Sequence, residues 1–292
     1  MNFVRTILEI RVMKKKKTEI EKLIRIVSFY SAYKILRFHY KRFVFIWTAC
    51  GSLTLAVLYL SKIFTNTNIE RKFTKRREDF LLEVSELNLS SDWFTPHIPY
   101  WFSLFQEYSL RDKKINALEI GSWEGLSSYF ILSSLPNAHL TCVDTWQGAD
   151  EHKDGSAATD DILIQLEQRF DKNLVPYSKR LTKYKGTSFK FFAENSEYHV
   201  YDFIYVDGSH YCDDVMIDAI KSFELLKVGG ILVFDDYFWR HYPRLIDNPG
   251  AAINLFLRLK KGSYKIIRMY AQLVLVKLSE PVDVRSPGKG AP

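Results

Sequence analysis

The feature that most limits the fold of this chain is the alternation of short apolar runs with longer amphipathic stretches after Asp92. Seven apolar runs have the length of strands, at 117–120, 139–143, 181–184, 203–206, 230–234, 264–269 and 272–277. Helix candidates lie before and between them, near 98–110, 124–135, 160–170, 188–194, 213–226 and 250–260. Strands that alternate with helices form parallel sheets covered by helices. We therefore predict an α/β fold with a doubly wound, mostly parallel seven-stranded sheet.

The last two predicted strands are separated only by Tyr270 and Ala271. A connection this short allows an antiparallel hairpin but not a parallel crossover. The last strand is therefore predicted to run in reverse, which separates this sheet from the ordinary nucleotide-binding doubly wound sheets.

Acidic residues follow four of the first five predicted strands. Ligands of parallel sheets bind beyond the carboxyl ends of the strands, and the acidic residues at those ends are Glu119, Asp144, Asp207 and the pair Asp235–Asp236. A single Asp at a strand end is common because Asp caps turns and helices. Four acidic positions that converge on one edge predict a functional site there.

Three segments at these strand ends carry a family resemblance. LEIGSWEGLSS begins at Leu118, LTCVDTW at Leu140, and DFIYVDGSHYCDDVMIDAIKSFELLKVGGILVFDDYFW at Asp202. Together they resemble the class I S-adenosylmethionine-dependent methyltransferases, and more closely the bacterial branch related to macrocin-type sugar O-methyltransferases, with catechol O-methyltransferase a distant relative. The resemblance covers roughly 93–277 and implies a Rossmann-like methyltransferase fold. It also implies transfer of a methyl group from S-adenosylmethionine to a hydroxyl of a sugar or similar small polyol.

The resemblance also implies which residues bind the cofactor. Gly121 and Gly125 would let the backbone approach the methionine part, and Glu119 would face the positive charge of the ligand. Asp144 would accept hydrogen bonds from both ribose hydroxyls. Trp146 either covers the adenine or packs in the core. The full predicted set is Glu119, Gly121, Ser122, Gly125, Asp144, Trp146 and Ser188.

On the reaction side, the resemblance implies a divalent cation, most simply Mg²⁺, held by Asp207, Asp235 and Asp236. A cation there would lower the pKa of the substrate hydroxyl, and His210 would accept its proton. The catechol enzyme has Lys at the place of His210, which leaves the base open. The alternatives are a structural His210, an Asp pair that only forms a turn, and catalysis without a metal.

From Phe43 to Ser61 the chain runs for nineteen residues without a charged side chain. A helix of that length crosses a hydrocarbon layer of about 30 Å. Trp47 and Tyr59 lie near its ends, where aromatic rings prefer the headgroup region. We predict a helical N-terminal appendage with one membrane-spanning helix over 43–61, and a core or interfacial helix is the alternative.

The predicted order along the chain is a basic tail over 1–42, the membrane helix over 43–61, a linker passing into a helix over 62–91, the methyltransferase domain over 92–279 and a loose tail over 280–292. The basic tail either lies on an anionic membrane surface or is solvated. Five Lys or Arg precede the span and six follow it within twenty residues, so the positive-inside rule gives no orientation. Cofactor supply favours a cytosolic domain on a membrane-anchored, single-pass protein.

Charge narrows the class of partner. The first 42 residues contain twelve Lys and Arg against three Glu, whereas the whole chain has a net charge of +7. The remainder is therefore slightly acidic, which argues against nucleic acid as a partner. We expect a small-molecule or saccharide acceptor, such as a surface glycan or lipid-linked saccharide, and leave the oligomeric state open. The alternative from another class is a membrane-anchored scaffold whose methyltransferase-like domain is inactive.

Overall fold

The computed structural model describes residues 31–148, 159–195 and 197–280. Most of the predicted basic tail (1–30) and nearly all of the predicted C-terminal tail (281–292) lie outside this range.

A seven-stranded sheet forms the centre of the protein, and its strands appear in the order β3-β2-β1-β4-β5-β7-β6. Strands β1 to β5 pair in parallel, and β7 pairs antiparallel with both β5 and β6. The predicted mostly parallel sheet with a reversed last strand is confirmed. The strands are β1 Ile115–Ile120, β2 Ala138–Asp144, β3 Leu181–Lys185, β4 Tyr201–Val206, β5 Leu226–Phe234, β6 Tyr264–Met269 and β7 Leu273–Lys277.

Helices connect the strands at the predicted places. Residues 31–48 are helical and are called α1. The others are α2 Leu53–Glu83, α3 Ile98–Glu107, α4 Leu126–Ser134, α5 Asp160–Asn173, α6 Ser188–Glu194, α7 Cys212–Leu225 and α8 Pro249–Leu259.

Trp101 on α3 lies at the centre of the core. Its side chain is fully buried, and its ring centroid lies 4.8 Å from that of Tyr205 and 5.2 Å from that of Phe203, both on β4. The indole N–H donates to the side-chain oxygen of Gln272 at 2.7 Å. Because Tyr205 and Gln272 also contact carboxylates at the edge of the sheet, this packing fixes part of the site.

The predicted membrane helix over 43–61 is wrong. Helix α1 ends at residue 48, and α2 begins only at Leu53. Between them Cys50 has a positive φ of 55°, and the Ser52 hydroxyl caps α2 by accepting from the backbone N–H of Leu55 at 3.1 Å. Ser is a strong N-cap, so this polar residue starts a new helix inside the apolar run. In the described part of the chain, no helix is both long enough and apolar enough to cross a bilayer.

Helix α2 packs against the domain over much of its length. It contacts α3 and β6, and Phe80 near its end is fully buried with its ring 5.1 Å from that of Phe130. The Asn66 side-chain amide donates to the backbone carbonyl of Met269, at the end of β6, at 2.8 Å. The compact unit that contains the sheet begins at Ile46, so residues 62–83 of the expected linker belong to a packed helix.

Asn66→Ala tests this packing. The substitution leaves the Met269 carbonyl without its side-chain donor, so we expect the free energy of unfolding to fall by about 1–3 kcal/mol. The measurement is urea denaturation. Asn68→Ala, at an exposed position of the same helix, is the matched control and should change the free energy by less than about 0.5 kcal/mol. Equal losses in both variants would contradict a specific role for Asn66.

Candidate active site

A cleft of about 970 Å³ opens at the carboxyl edge of the sheet, where the strand order predicts a ligand site. Turns after all five parallel strands contribute to its wall. Seven of the predicted site residues line it: Gly121, Asp144, Ser188, Asp207, His210, Asp235 and Asp236. The other four predicted cofactor residues, Glu119, Ser122, Gly125 and Trp146, do not appear in its lining.

The turns after β1 and β4 meet at Gly121. This residue has a φ of +85°, and a Cβ placed on it would lie 1.9 Å from the carbonyl oxygen of Asp207. The backbone N–H of Asp207 in turn donates to the Ile120 carbonyl at 2.8 Å. Only glycine fits here, because both the backbone conformation and the available space exclude a side chain.

Asp144 connects the turns after β1 and β2. Its Oδ2 accepts from the backbone N–H groups of Ser122 at 2.8 Å and Trp123 at 2.9 Å, and its Oδ1 accepts from Trp146 at 2.7 Å. Burial raises the pKa of Asp144, although these backbone donors favour the charged form. A carboxylate has about four lone-pair sites, so Asp144 retains the capacity to accept from a ligand in the cleft.

Glu119 lies beneath the turn rather than in the cleft. Its side chain is fully buried and accepts hydrogen bonds from the hydroxyls of Ser127, at 2.6 Å, and Ser128. The Cys142 thiol lies 3.4 Å away. Burial raises the pKa of Glu119, and these donors offset part of the rise. The structure thus places Glu119 as a buried acceptor that holds α4 against the sheet.

Trp146 packs in the core. The sequence left open whether it would do so or cover the adenine of the cofactor. It is 4 % exposed, its indole N–H donates to the Trp123 carbonyl at 3.0 Å, and its ring lies 4.8 Å from that of Phe170. Trp123 and Trp93 line the cleft instead, with ring centroids 5.2 Å apart. The sequence reasoning missed Trp123, although its position inside the glycine turn was an available signal.

Gly125 and Ser122 support the turn from behind. Gly125 caps α4 with a φ of +86°, and a Cβ there would lie 2.5 Å from Leu174. The Ser122 side chain is buried, and its backbone N–H donates to the cleft residue Asp144.

Asp207, His210 and Asp236 form the acidic end of the cleft. One potential ligand atom from each lies within 4.8 Å of the other two, and His210 Nε2 is 2.8 Å from Asp236 Oδ2. Burial and the neighbouring carboxylates of Asp235 and Asp236 hold the pKa of Asp207 well above its usual range. A cation at this place would relieve that repulsion.

Asp235 stands beside this trio and is held by other groups. Its Oδ2 accepts from the side-chain amide of Gln272 at 2.8 Å and from the hydroxyl of Tyr205. The same hydroxyl lies 2.8 Å from Asp207 Oδ2, and His97 Nε2 lies 3.9 Å from Asp235 Oδ1. The three residues that are close enough together to hold one metal ion are Asp207, His210 and Asp236. The sequence predicted Asp235 in place of His210. His97 and Gln272 were missed because nothing in the sequence links them to the strand ends.

The strand order and the sequence of these turns together identify the domain. The family model described as "Methyltransferase domain" matches residues 118–237, from β1 to the turn after β5. The sheet has the reversed last strand that the short connection at Tyr270 and Ala271 predicted. The chain carries a class I methyltransferase domain. The matched domain, residues 118–237, supports the predicted methyltransferase activity that depends on S-adenosylmethionine.

Solved structures with a similar chain path include three methyltransferases. MycE from the mycinamycin biosynthetic pathway, in complex with Mg and SAH, has 16% identity, a TM-score of 0.47, and coverage of 68% of this chain and 53% of its own. The O-methyltransferase from Bacillus cereus in complex with SAH has 15% identity, a TM-score of 0.45, and coverage of 69% and 90%. TomG from Streptomyces achromogenes in complex with SAM has 12% identity, a TM-score of 0.46, and coverage of 70% and 89%. This chain spans about half of MycE. No curated protein matches it significantly.

Within the methyltransferase domain, α7 buries a further carboxyl group beneath the cleft. Asp218 is 1 % exposed, and a Cβ placed on the cleft residue Gly208 would lie 3.4 Å from its Oδ2. Burial raises the pKa of Asp218 to about 7. The sequence reasoning missed Asp218, because an Asp inside an amphipathic helix usually faces solvent.

Gly121→Ala tests the contact between the β1 and β4 turns, with Gly229→Ala as its control. Both glycines have a similar positive φ, +85° and +83°, but a Cβ at Gly229 meets nothing within 4 Å. Backbone strain costs about 1–2 kcal/mol at each position. We expect Gly121→Ala to lower the free energy of unfolding by at least about 2 kcal/mol more than the control, because it also adds a clash with backbone. Chemical denaturation measures the difference, and equal losses would contradict the close approach.

Asp218→Asn should change how stability depends on pH. Because the folded protein holds the Asp218 proton more tightly than the unfolded chain does, wild-type stability falls as pH rises from about 4 to about 7. The uncharged Asn lacks this penalty. We therefore expect its stability relative to wild type to increase over that window, by at most about 4 kcal/mol at pH 8.

Urea denaturation at pH 5 and pH 8 measures this difference. Asp213→Asn, at an exposed position of the same helix, is the control and should show no comparable pH dependence. A stability difference between Asp218→Asn and wild type that is the same at both pH values would contradict the assignment.

Proposed function

We propose that this methyltransferase transfers the methyl group of S-adenosylmethionine to a hydroxyl of a sugar or similar small polyol, assisted by a divalent cation. The observation that carries the proposal is that one cleft joins Asp144, at the end of β2, to Asp207, His210 and Asp236. Its volume of about 970 Å³ is at the upper end of the range for small-molecule sites, which leaves room for a cofactor and an acceptor together.

Asp144 would hold the cofactor through its ribose hydroxyls. Its carboxylate is fixed by backbone donors from two different turns, so it is oriented before any ligand binds. Gly121 would let the backbone come close to the methionine part, and Ser188 and Trp123 also line the cleft. S-adenosylmethionine supplies the activated methyl group.

The acidic end fits a divalent cation. Carboxylate oxygens are the ligands that Mg²⁺ prefers, and Asp207 and Asp236 would supply them. A cation held there would lower the pKa of a substrate hydroxyl. His210 would accept the hydroxyl proton, and the Asp236 carboxylate, 2.8 Å from its Nε2, would stabilise the imidazolium. Asp235, held by Gln272 and Tyr205, would orient the acceptor or a water beside the cation.

Flat side chains beside the acidic end support a saccharide acceptor. Trp239, His241 and Tyr211 line the cleft. The ring centroids of Trp239 and His210 lie 4.5 Å apart. The His241 ring stacks on the Trp239 ring, with an angle of 17° between the two planes. Aromatic faces pack well against the C–H faces of sugar rings and keep a polar edge available, while the carboxylates accept hydrogen bonds from sugar hydroxyls.

Calorimetric titration of S-adenosylmethionine into the full chain tests the cofactor site. Asp144→Ala removes the ribose acceptor and the partner of three backbone N–H groups, so we expect binding to weaken about 100-fold. Asp236→Asn should bind the cofactor as wild type does but lose methyl transfer, because Asp236 belongs to the acceptor side. If the folded wild-type protein does not bind the cofactor, the proposal fails and the inactive scaffold becomes the better interpretation.

Methylation of a panel of saccharides and catechols, followed by mass spectrometry, tests the acceptor and the cation. We expect transfer to saccharides, a loss of activity in excess chelator, and recovery on addition of Mg²⁺. Unchanged turnover in chelator would remove the cation from the mechanism and leave the His210–Asp236 pair as the base. Transfer to catechols alone would contradict the saccharide assignment.

A further inference from the structure

Helix α2 carries a line of exposed apolar side chains that the methyltransferase domain does not use. Leu53, Val57, Leu60 and Phe64 are 53 %, 54 %, 42 % and 76 % exposed. Their spacing of four, three and four residues places them on one face of the helix. We call these four residues the outer stripe.

The outer stripe lies opposite the face by which α2 packs on the domain. Among the buried residues of this part of the helix, Tyr59, Asn66 and Ile69 fall on the other side at 100° per residue, and Ala56 lies between the two faces. The first third of α2 is therefore apolar on two faces, and only one of them is covered by the domain. Single exposed apolar residues are common, but a contiguous line of them marks an interaction site.

Basic side chains continue along and beside the outer stripe. Arg71, two helical turns beyond Phe64, lies on the same line and is exposed, and Lys72 is exposed beside it. Lys75 follows on that line but pairs with Asp79 at 2.9 Å. Before α2, Trp47 is 56 % exposed, and the first 42 residues of the sequence hold twelve Lys and Arg against three Glu. Apolar residues next to an excess of positive charge complement an anionic lipid surface.

We propose that the outer stripe lies in the headgroup layer of an anionic lipid bilayer and binds the protein peripherally to that surface. Four apolar residues over eleven helical steps extend about 17 Å, and a helix that lies flat would bury them together while Arg71 meets the lipid phosphates. This assignment replaces the predicted membrane-spanning helix, because the apolar run divides at Ser52 into two helices. It does not depend on the proposed acceptor.

Vesicle sedimentation with the full chain tests the proposal. The probes are vesicles of phosphatidylcholine alone and of phosphatidylcholine mixed with phosphatidylglycerol, at low and high salt. The test variant is Leu60→Ser/Phe64→Ser. The control variant is Leu255→Ser/Ile164→Ser, whose side chains are 42 % and 78 % exposed on other helices and so match the 42 % and 76 % of the test pair.

We expect the wild type and the control to bind the mixed vesicles, less so at high salt. The partition coefficient of the test variant should fall roughly 10- to 100-fold, because two inserted apolar side chains are lost. Absence of wild-type binding to the mixed vesicles would overturn the proposal. Binding of the test variant at the wild-type level would overturn it as well and assign any binding to the basic N-terminal segment.

Sedimentation velocity without lipid separates a bilayer from a second copy of the chain. We expect the wild type and the test variant to have the same sedimentation coefficient. A larger oligomer that dissociates only in the Leu60→Ser/Phe64→Ser variant would overturn the proposal and assign the outer stripe to a protein interface.

Discussion

The site depends on how closely two backbone turns approach each other at the carboxyl edge of the sheet. Gly121 lies against the Asp207 carbonyl with no space for a side chain, and the Asp207 N–H binds the carbonyl of Ile120. This contact sets the distance between the turn that would face the cofactor and the turn that carries Asp207 and His210. Asp144 then fixes the β1 turn from the other side through backbone donors. The cleft is therefore positioned by one main-chain contact and by the Asp144 carboxylate, which holds the main chain of the β1 turn.

The domain encloses several carboxyl groups, and each has a different environment. Glu119 accepts hydrogen bonds from hydroxyls, and Asp235 accepts from an amide and a phenol. Burial and the neighbouring carboxylates raise the pKa of Asp207. Charged groups are expensive to bury unless they are paired or hydrogen-bonded. Asp235 and Asp207 both face the cleft, and Asp207 is the one that lies opposite further carboxylates.

The N-terminal region shows why hydrophobicity alone does not assign a helix to a membrane. The nineteen uncharged residues from Phe43 to Ser61 read as one span, yet they fold as the end of one helix, a capped break and the start of another. Part of this segment packs on the domain, since the Tyr59 ring lies 5.4 Å from that of Phe238 and the Asn254 side-chain amide donates to the Ala49 carbonyl at 2.6 Å. The rest is exposed. Apolar residues occur both in the core and on the exposed surface of this segment. The hydrophobicity of a short stretch of sequence therefore does not tell which of its residues are buried.

The sequence by itself determined the α/β class, the reversed last strand, the edge at which the site lies and seven of the residues in its wall. These follow from local rules, since strand length, connection length and the residue after a strand are all properties of short segments. Tertiary structure decided that β7 inserts between β5 and β6, that Trp146 is core while Trp123 lines the cleft, and that His97 and Gln272 lie beside Asp235. Those positions depend on contacts between residues far apart in the chain. The side chains that face a ligand are determined only when the helices pack on the sheet.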